Sequence, residues 1–379
     1  MKPISLRIKR FQPLDKPEKK KTTGTGDGLF EKWDKTAKYT RHLSTTIPMK
    51  TPDAKGLEML RKAFGFGHDF DKLVFYDTET TGLSAGAGSL AFLAGFGRYE
   101  NGSFTIDQYF LMDFPGEKEF LDHVANRLDR SLLFVSYNGK AFDRHLLKSR
   151  FLMNAMKVEL PEQFDLLFPS RSLWQSVIGS CSLSNVESRV LGVKRGLDIP
   201  GEEIPDVYFD FLRTGDDSRM SAVVEHHRQD IVSLVLLLAR LAEIFADPHK
   251  AADVDRARLA RFLKRIDPAK AEQFSRACFD AGDRGCGIEL SRDYKKSRDW
   301  RRAAEIWENL LKSGDGIFAA VELAKHHEHR TKDLKKALLY VEKCLGLPEG
   351  RAPEVKSALL HRKERLTKKL ESKTPRVLR

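Results

Sequence analysis

Apolar residues recur along this chain in three textures. Up to about residue 68 there is little periodicity: Pro, Lys, Thr and Gly are frequent. That stretch is expected to be a largely flexible leader (1–68), with a brief helix around GLEMLRKAF (56–64). From Leu73 the pattern changes to short apolar runs. LVFYD reads as a strand ending in acids, SLAFLAGFGRY as a second strand, and FTIDQYFLMD as a third, joined by the hairpin signal Asn101-Gly102. EKEFLDHVANRLDR has the helical spacing, with Phe120, Val124 and Leu128 on one face. LLFVSYNG (132–139) is a fourth strand, AFDRHLLKSRFLMNAM a helix, and DLLFPSRSLW a fifth strand running into a helix. After short helices and loops over 176–218, residues 220–245 form a long helix with one strongly apolar side. A hairpin-rich sheet followed by strands interleaved with helices predicts a mixed α/β domain over 70–247.

Beyond Asp247-Pro248 the pattern is helical throughout. DWRRAAEIWENLL (299–311) and DLKKALLYVEKCL (333–345) align at an offset of 34, with Asp299 on Asp333, Ala303 on Ala337 and Leu311 on Leu345. That is the period of a helix–turn–helix repeat of the tetratricopeptide kind, so residues 252–347 are expected to form an all-α scaffold or protein-binding region.

Charge refines this division. The formal net charge is +12, but residues 1–50 hold 13 Lys and Arg against 5 Asp and Glu, and residues 351–379 hold 10 against 3. The basic character thus sits at the two ends, the second an expected basic tail (351–379). Such ends suit a polyanion partner, or simply keep the chain soluble. Four dispersed cysteines without a CxxC pair argue against a disulfide framework or structural zinc site and fit a reducing compartment. The longest apolar run, VSLVLLLARLAEIF, contains Arg240 and Glu243 and reads as a buried helix, not a membrane span. No apolar leader follows Met1, so a cytoplasmic location is expected.

Three stretches carry acids in chemically informative places. Asp77 and Glu79, two apart on a strand, share a face. Like charges so placed repel unless a cation lies between them, and oxygen-only ligands favour Mg²⁺ or Mn²⁺. Asp143 opens a helix just after Asn138-Gly139, where a first-turn acid is also favoured by the helix terminus. Asp230 borders the most apolar helical stretch, four residues after His226 and on the same helical face.

Together these stretches resemble the DEDD superfamily of ribonuclease-H-like 3′→5′ exonucleases. DTETTGL is similar to its first motif, SYNGKAFDRHLL to its second and HHRQDIVSL to its third. With LGVKRGLDIP and the tetratricopeptide-like region, the whole resembles most the YprB-type ribonuclease-H-like proteins over roughly residues 70–345. The resemblance implies a ribonuclease-H-like mixed sheet flanked by helices and followed by an all-α region. It implies metal-dependent hydrolysis of single-stranded DNA or RNA from the 3′-end, with two Mg²⁺ or Mn²⁺ ions held by Asp77, Glu79, Asp143 and Asp230. His226 is the implied general base, ahead of His227, although three residues separate it from Asp230, the spacing of the family's tyrosine class. Thr80 and Leu83 would line the terminal nucleotide, with Asn138 and Phe142 in their motif places. Tyr137 would stack on the substrate or pack at a strand end; Arg144, Lys148 and Arg150 would contact phosphate or form a solvated face. Two other readings stay open: a catalytically weak nucleic-acid-binding scaffold, and an endonuclease of the same fold, which an open groove rather than a walled pocket would favour.

Overall fold

The structure is a computed structural model that describes residues 28–82, 88–100, 102–196, 198–314, 316–348, 350 and 352–372. Seven strands form one mixed sheet: β1 (Asp34–Lys35), β2 (Thr40–Ile47), β3 (Leu73–Thr80), β4 (Ala91–Glu100), β5 (Ser103–Leu111), β6 (Leu133–Ser136) and β7 (Glu162–Asp165). Their spatial order is β1-β2-β5-β4-β3-β6-β7. β3 is central, antiparallel to β4 and parallel to β6, which in turn runs parallel to β7. The helices of this part are α1 (Ala54–Phe64), α2 (Glu117–Ala125), α3 (Asp143–Met153), α4 (Leu167–Ile178), α5 (Leu183–Val186), α6 (Ile204–Thr214) and α7 (Met220–Ala246).

The alternation of side chains along β3 divides the core. Leu73 and Phe75 join the cluster beneath α1 and α7, whereas Val74 and Tyr76 join the opposite cluster with Leu146 and Phe151 of α3 and Tyr208 of α6. α7 lies close to the sheet because β4 offers glycine there. A Cβ on Gly95 would fall 2.3 Å from Ile231 Cδ1 and 2.4 Å from His227 Cε1.

The remaining chain is helical: α8 (Arg256–Ile266), α9 (Pro268–Asp280), α10 (Arg284–Lys296), α11 (Trp300–Lys312), α12 (Gly316–His326), α13 (Leu334–Gly346) and α14 (Pro353–Glu371). Asp255, Asp267, Asp283, Asp299 and Asp333 each cap the helix that follows, accepting from backbone N–H groups of its first turn. The caps Asp299 and Asp333 and the buried alanines Ala303 and Ala337 preserve the 34-residue offset, in keeping with a tetratricopeptide-like arrangement. Leu259, Phe262 and Leu263 of α8 enter the same core cluster as α1 and α7.

Three expectations are corrected. Residues 28–68 are not a flexible leader: β2 pairs along its whole length with β5, from Thr40↔Leu111 to Ile47↔Phe104, and α1 packs on α7 so closely that a Cβ on Gly56 would overlap Ala242 O. The sequence TRHLSTTI is polar enough to resemble a linker, but its β-branched residues suit a half-buried strand. Residues 353–371 are not a loose tail, because α14 buries Leu359 and Leu366 against α12 and α13. The fifth core strand precedes DLLFPSRSLW, most of which is α4. The extreme ends, 1–27 and 373–379, and Asn101 of the hairpin turn lie outside the described residues; Gly102 has the left-handed φ of +81° that such a turn uses.

Candidate metal-dependent active site

Asp77 and Glu79 continue the face of β3 that begins with Leu73 and Phe75, and so point toward α7. Thr78 takes the opposite face, where its hydroxyl donates to Asp143 at the start of α3. Asp143 is brought there by the turn after β6. Asn138 adopts φ +63°, and a Cβ on Gly139 would fall 2.6 Å from Ser136 Oγ. Asp165, at the end of β7, holds this turn by accepting from Asn138 N (2.8 Å) and Lys140 N (3.2 Å). The fourth acid, Asp230, comes from α7; Glu79, His226 and Asp230 offer ligand atoms all within 4.8 Å of one another.

The electrostatics show how closely the acids converge. Burial raises the Asp77 carboxyl well above its usual range, and the charges of Asp230, Asp143 and Glu79 add to the effect. Glu79 is raised by burial and by Asp230 and Asp143. Burial lifts Asp143 to about 6, against the Thr78 hydrogen bond. Asp230 is also raised by burial, opposed by His226 and Arg195. Carboxylates forced together in this way suit a hard divalent cation, which relieves the repulsion by coordinating their oxygens. The donor set therefore fits a divalent metal ion.

The two adjacent histidines have different surroundings. His227 is fully buried; Nε2 lies 3.1 Å from Asp77 O and Nδ1 lies 2.9 Å from the Gln108 amide nitrogen. The carbonyl only accepts, so Nε2 carries the proton and Nδ1 accepts from Gln108. His227 thus ties α7 to β3, and burial pushes its pKa down to about 4. His226 faces the cleft side of α7: Nε2 is 3.6 Å from Asp230 Oδ2, and Nδ1 is 2.7 Å from Asp198 Oδ1. The closer Asp198 carboxylate favours a proton on Nδ1, the nitrogen that the Arg195 guanidinium also approaches at 3.1 Å, and Nε2 is turned to Asp230.

Sequence reasoning missed Arg195, Asp198, Glu187 and Asp165. Arg195 makes paired 2.7 Å contacts with buried Glu187, reaches Asp230 with the same guanidinium and lies 3.3 Å from Asp198. Both Arg195 and Asp198 sit in LGVKRGLDIP, an aperiodic loop whose residues give no sign of the helix they dock on.

The acids open into a cleft of about 230 Å³ whose lining includes Asp77, Glu79, Thr80, Asn138, Phe142 and Asp143. Gly201 and Pro205, at the entry to α6, also line it. Phe142 is 44% exposed, so an aromatic face is presented beside Asp143. Tyr137 also lines the cleft; its hydroxyl donates to Cys181 O at 2.7 Å and its ring packs against the core. The Arg144 guanidinium is committed to Pro161 O at 2.6 Å, and Arg150 pairs with Glu117. Lys148 is exposed on α3. Leu83 lies outside the described residues.

Fold and site place the chain among ribonuclease-H-like α/β proteins, and a family model described as RNase_H superfamily matches residues 74–242, from β3 into α7. The uncharacterized protein YprB of Bacillus subtilis (strain 168) is 33% identical over 316 residues, covering 78% of this chain and 76% of its own. The chain belongs to the family of ribonuclease-H-like proteins that includes that relative. A solved structure described as product-bound exonuclease I aligns with 80% of this chain and 90% of its own at 12% identity and a TM-score of 0.28, too distant to speak to the site. Superfamily membership and the convergent carboxylates support a nuclease. No helix among the described residues is long and apolar enough to cross a membrane.

Proposed function

We propose that the chain is a divalent-metal-dependent 3′→5′ exonuclease acting on single-stranded nucleic acid. The observation that carries this reading is the convergence of Asp77, Glu79, Asp143 and Asp230, from three elements far apart in sequence, with Asp77, Glu79 and Asp143 lining one cleft. Bound divalent ions, two in this reading, would activate a water and stabilise the charge developing on phosphate and leaving oxygen. Asp77, Glu79, Asp143 and Asp230 would hold the ions. His226, its Nδ1 proton held by Asp198, would orient the water through Nε2 and accept its proton. Thr80, Asn138 and Phe142 would receive the terminal nucleotide against the side formed by Gly201 and Pro205. A wall on that side would favour a strand end over a continuous strand, and so exonuclease over endonuclease action.

The test uses 5′-labelled single-stranded DNA and RNA with Mn²⁺, Mg²⁺ or EDTA. A metal-dependent ladder shortening from the 3′-end, abolished in Asp77→Ala, is expected. Internal cuts would replace the exonuclease reading by the endonuclease one. No metal-dependent cleavage, or cleavage indifferent to Asp77, would leave the chain a nucleic-acid-binding scaffold.

A further inference from the structure

The near-neutral middle of the chain conceals a strong separation of charge. Residues 73–246 carry 17 Lys and Arg against 24 Asp and Glu, whereas residues 256–346 carry 21 against 14. The part that holds the acidic cleft is thus net negative, and a polyanion approaching it meets repulsion. The helical part has the opposite sign.

The positive charge is concentrated on one face. Three adjoining hollows, of about 400, 230 and 450 Å³, lie along α8, α10 and α12, and all three include Arg292 in their lining. Their carboxylates are few and shared. Glu289 serves both Arg261 and Arg292, Glu322 serves Lys295 and Lys325, and Asp293 pairs with Lys264. Lys296, Arg298 and Arg330 are exposed and have no carboxylate within ion-pair distance among the described residues. The face therefore holds a clear excess of cations.

Aromatic planes are set among those cations. The Arg330 guanidinium lies 4.1 Å from the centre of the Trp300 ring, and that of Arg292 lies 5.7 Å from Phe318. A stacked guanidinium keeps an exposed flat surface and free N–H edges, so it can meet a base with one and a phosphate with the other. Spaced cations with stacking planes are what a flexible single strand requires, and none of these groups reads sequence.

We propose that the α8–α10–α12 face is a single-strand track that binds the backbone of the substrate outside the catalytic cleft. The inference rests on the proposed function in taking the nuclease's own substrate as the polyanion. Counterion release along the face supplies affinity that the acidic catalytic part lacks.

The experiment uses the full chain carrying Asp77→Asn, in EDTA, with a fluorescein-labelled 30-nucleotide poly-dT or poly-U strand (a length of about 30 nucleotides exceeds one binding footprint). Binding is followed by anisotropy over a series of salt concentrations. Lys296→Gln, Arg298→Gln and Arg330→Gln together should weaken binding about tenfold at low salt. Losing three phosphate contacts should also make the log–log salt slope shallower by about 2. The basic ends are present in both proteins, so the comparison isolates the face. Lys296→Gln alone, which disturbs no packed ring, should shift affinity and slope in the same direction by a smaller amount. Unchanged affinity and slope in a folded triple variant would overturn the track, as would an unchanged single variant if the triple fails to fold. Equal binding of an oligo-glutamate peptide through the same three cations would overturn it in favour of an acidic protein partner. Because no cleavage is read, a blank cleavage ladder with track binding intact would sink the catalytic reading alone.

Discussion

Arg195 shows what a single side chain contributes at the candidate site. Its guanidinium joins Glu187, only 1% exposed, to Asp230, and also touches Asp198, which holds His226. Replacing it with Met leaves the Glu187 charge buried with only the Ser233 hydroxyl as a donor. Removal of one member of a buried pair costs ~3–5 kcal/mol. Arg195→Met should therefore lower the free energy of unfolding by that amount, and equilibrium urea unfolding at neutral pH measures it. An unfolding free energy within ~0.5 kcal/mol of the parent would show that the loop, not the guanidinium, holds this corner together. The acids were legible in sequence because each interrupts or borders an apolar run, where an unpaired charge needs a reason. Arg195 and Asp198 were not legible, because a loop has no period from which their direction can be read.

At the scale of elements, the site depends on the distance between α7 and β4. Gly95 and Gly97 leave no side chain under Ile231, and α7 delivers both His226 and Asp230. Gly95→Ala should push the helix outward and destabilise by ~1–3 kcal/mol, as overpacking does. Cleavage activity should fall more than stability alone explains, because Asp77 lies directly opposite Gly95 in the β3–β4 register. Measuring the melting temperature and the cleavage rate of one sample tests this; unchanged values in both would mean that the helix tolerates the shift. β3, β4, β5, β6 and α7 could be read in advance from runs too apolar for a surface. β2 could not, since only Leu43 and Ile47 are apolar among its eight residues. Its place is decided by the backbone ladder with β5 and not by a hydrophobic pattern.

For the whole molecule, the end of the helical part is fastened by a buried carboxylate. Glu328, with no exposed side chain, accepts from Arg362 at 2.7 Å, Arg365 at 2.8 Å and Lys369 at 2.9 Å, all on α14. Its pKa is held down to about 2 by these cations despite burial. A carboxyl depressed in the folded state contributes stability that is complete above its ordinary 4.5 and is lost as pH falls toward 2. Glu328→Gln should cost ~1–3 kcal/mol at pH 7, and the gap to the parent should narrow between pH 4.5 and about 2. A gap independent of pH would assign the effect to packing. The structure also has a consequence for the order of assembly during synthesis. β2 leaves the ribosome before its partner β5, and α1 long before α7, while Asp230 is the last of the four acids to be made. A nascent chain halted before α7 would hold Asp77, Glu79 and Asp143 without the helix that seals them, so translation must pass residue 246 before the four acids can be held together.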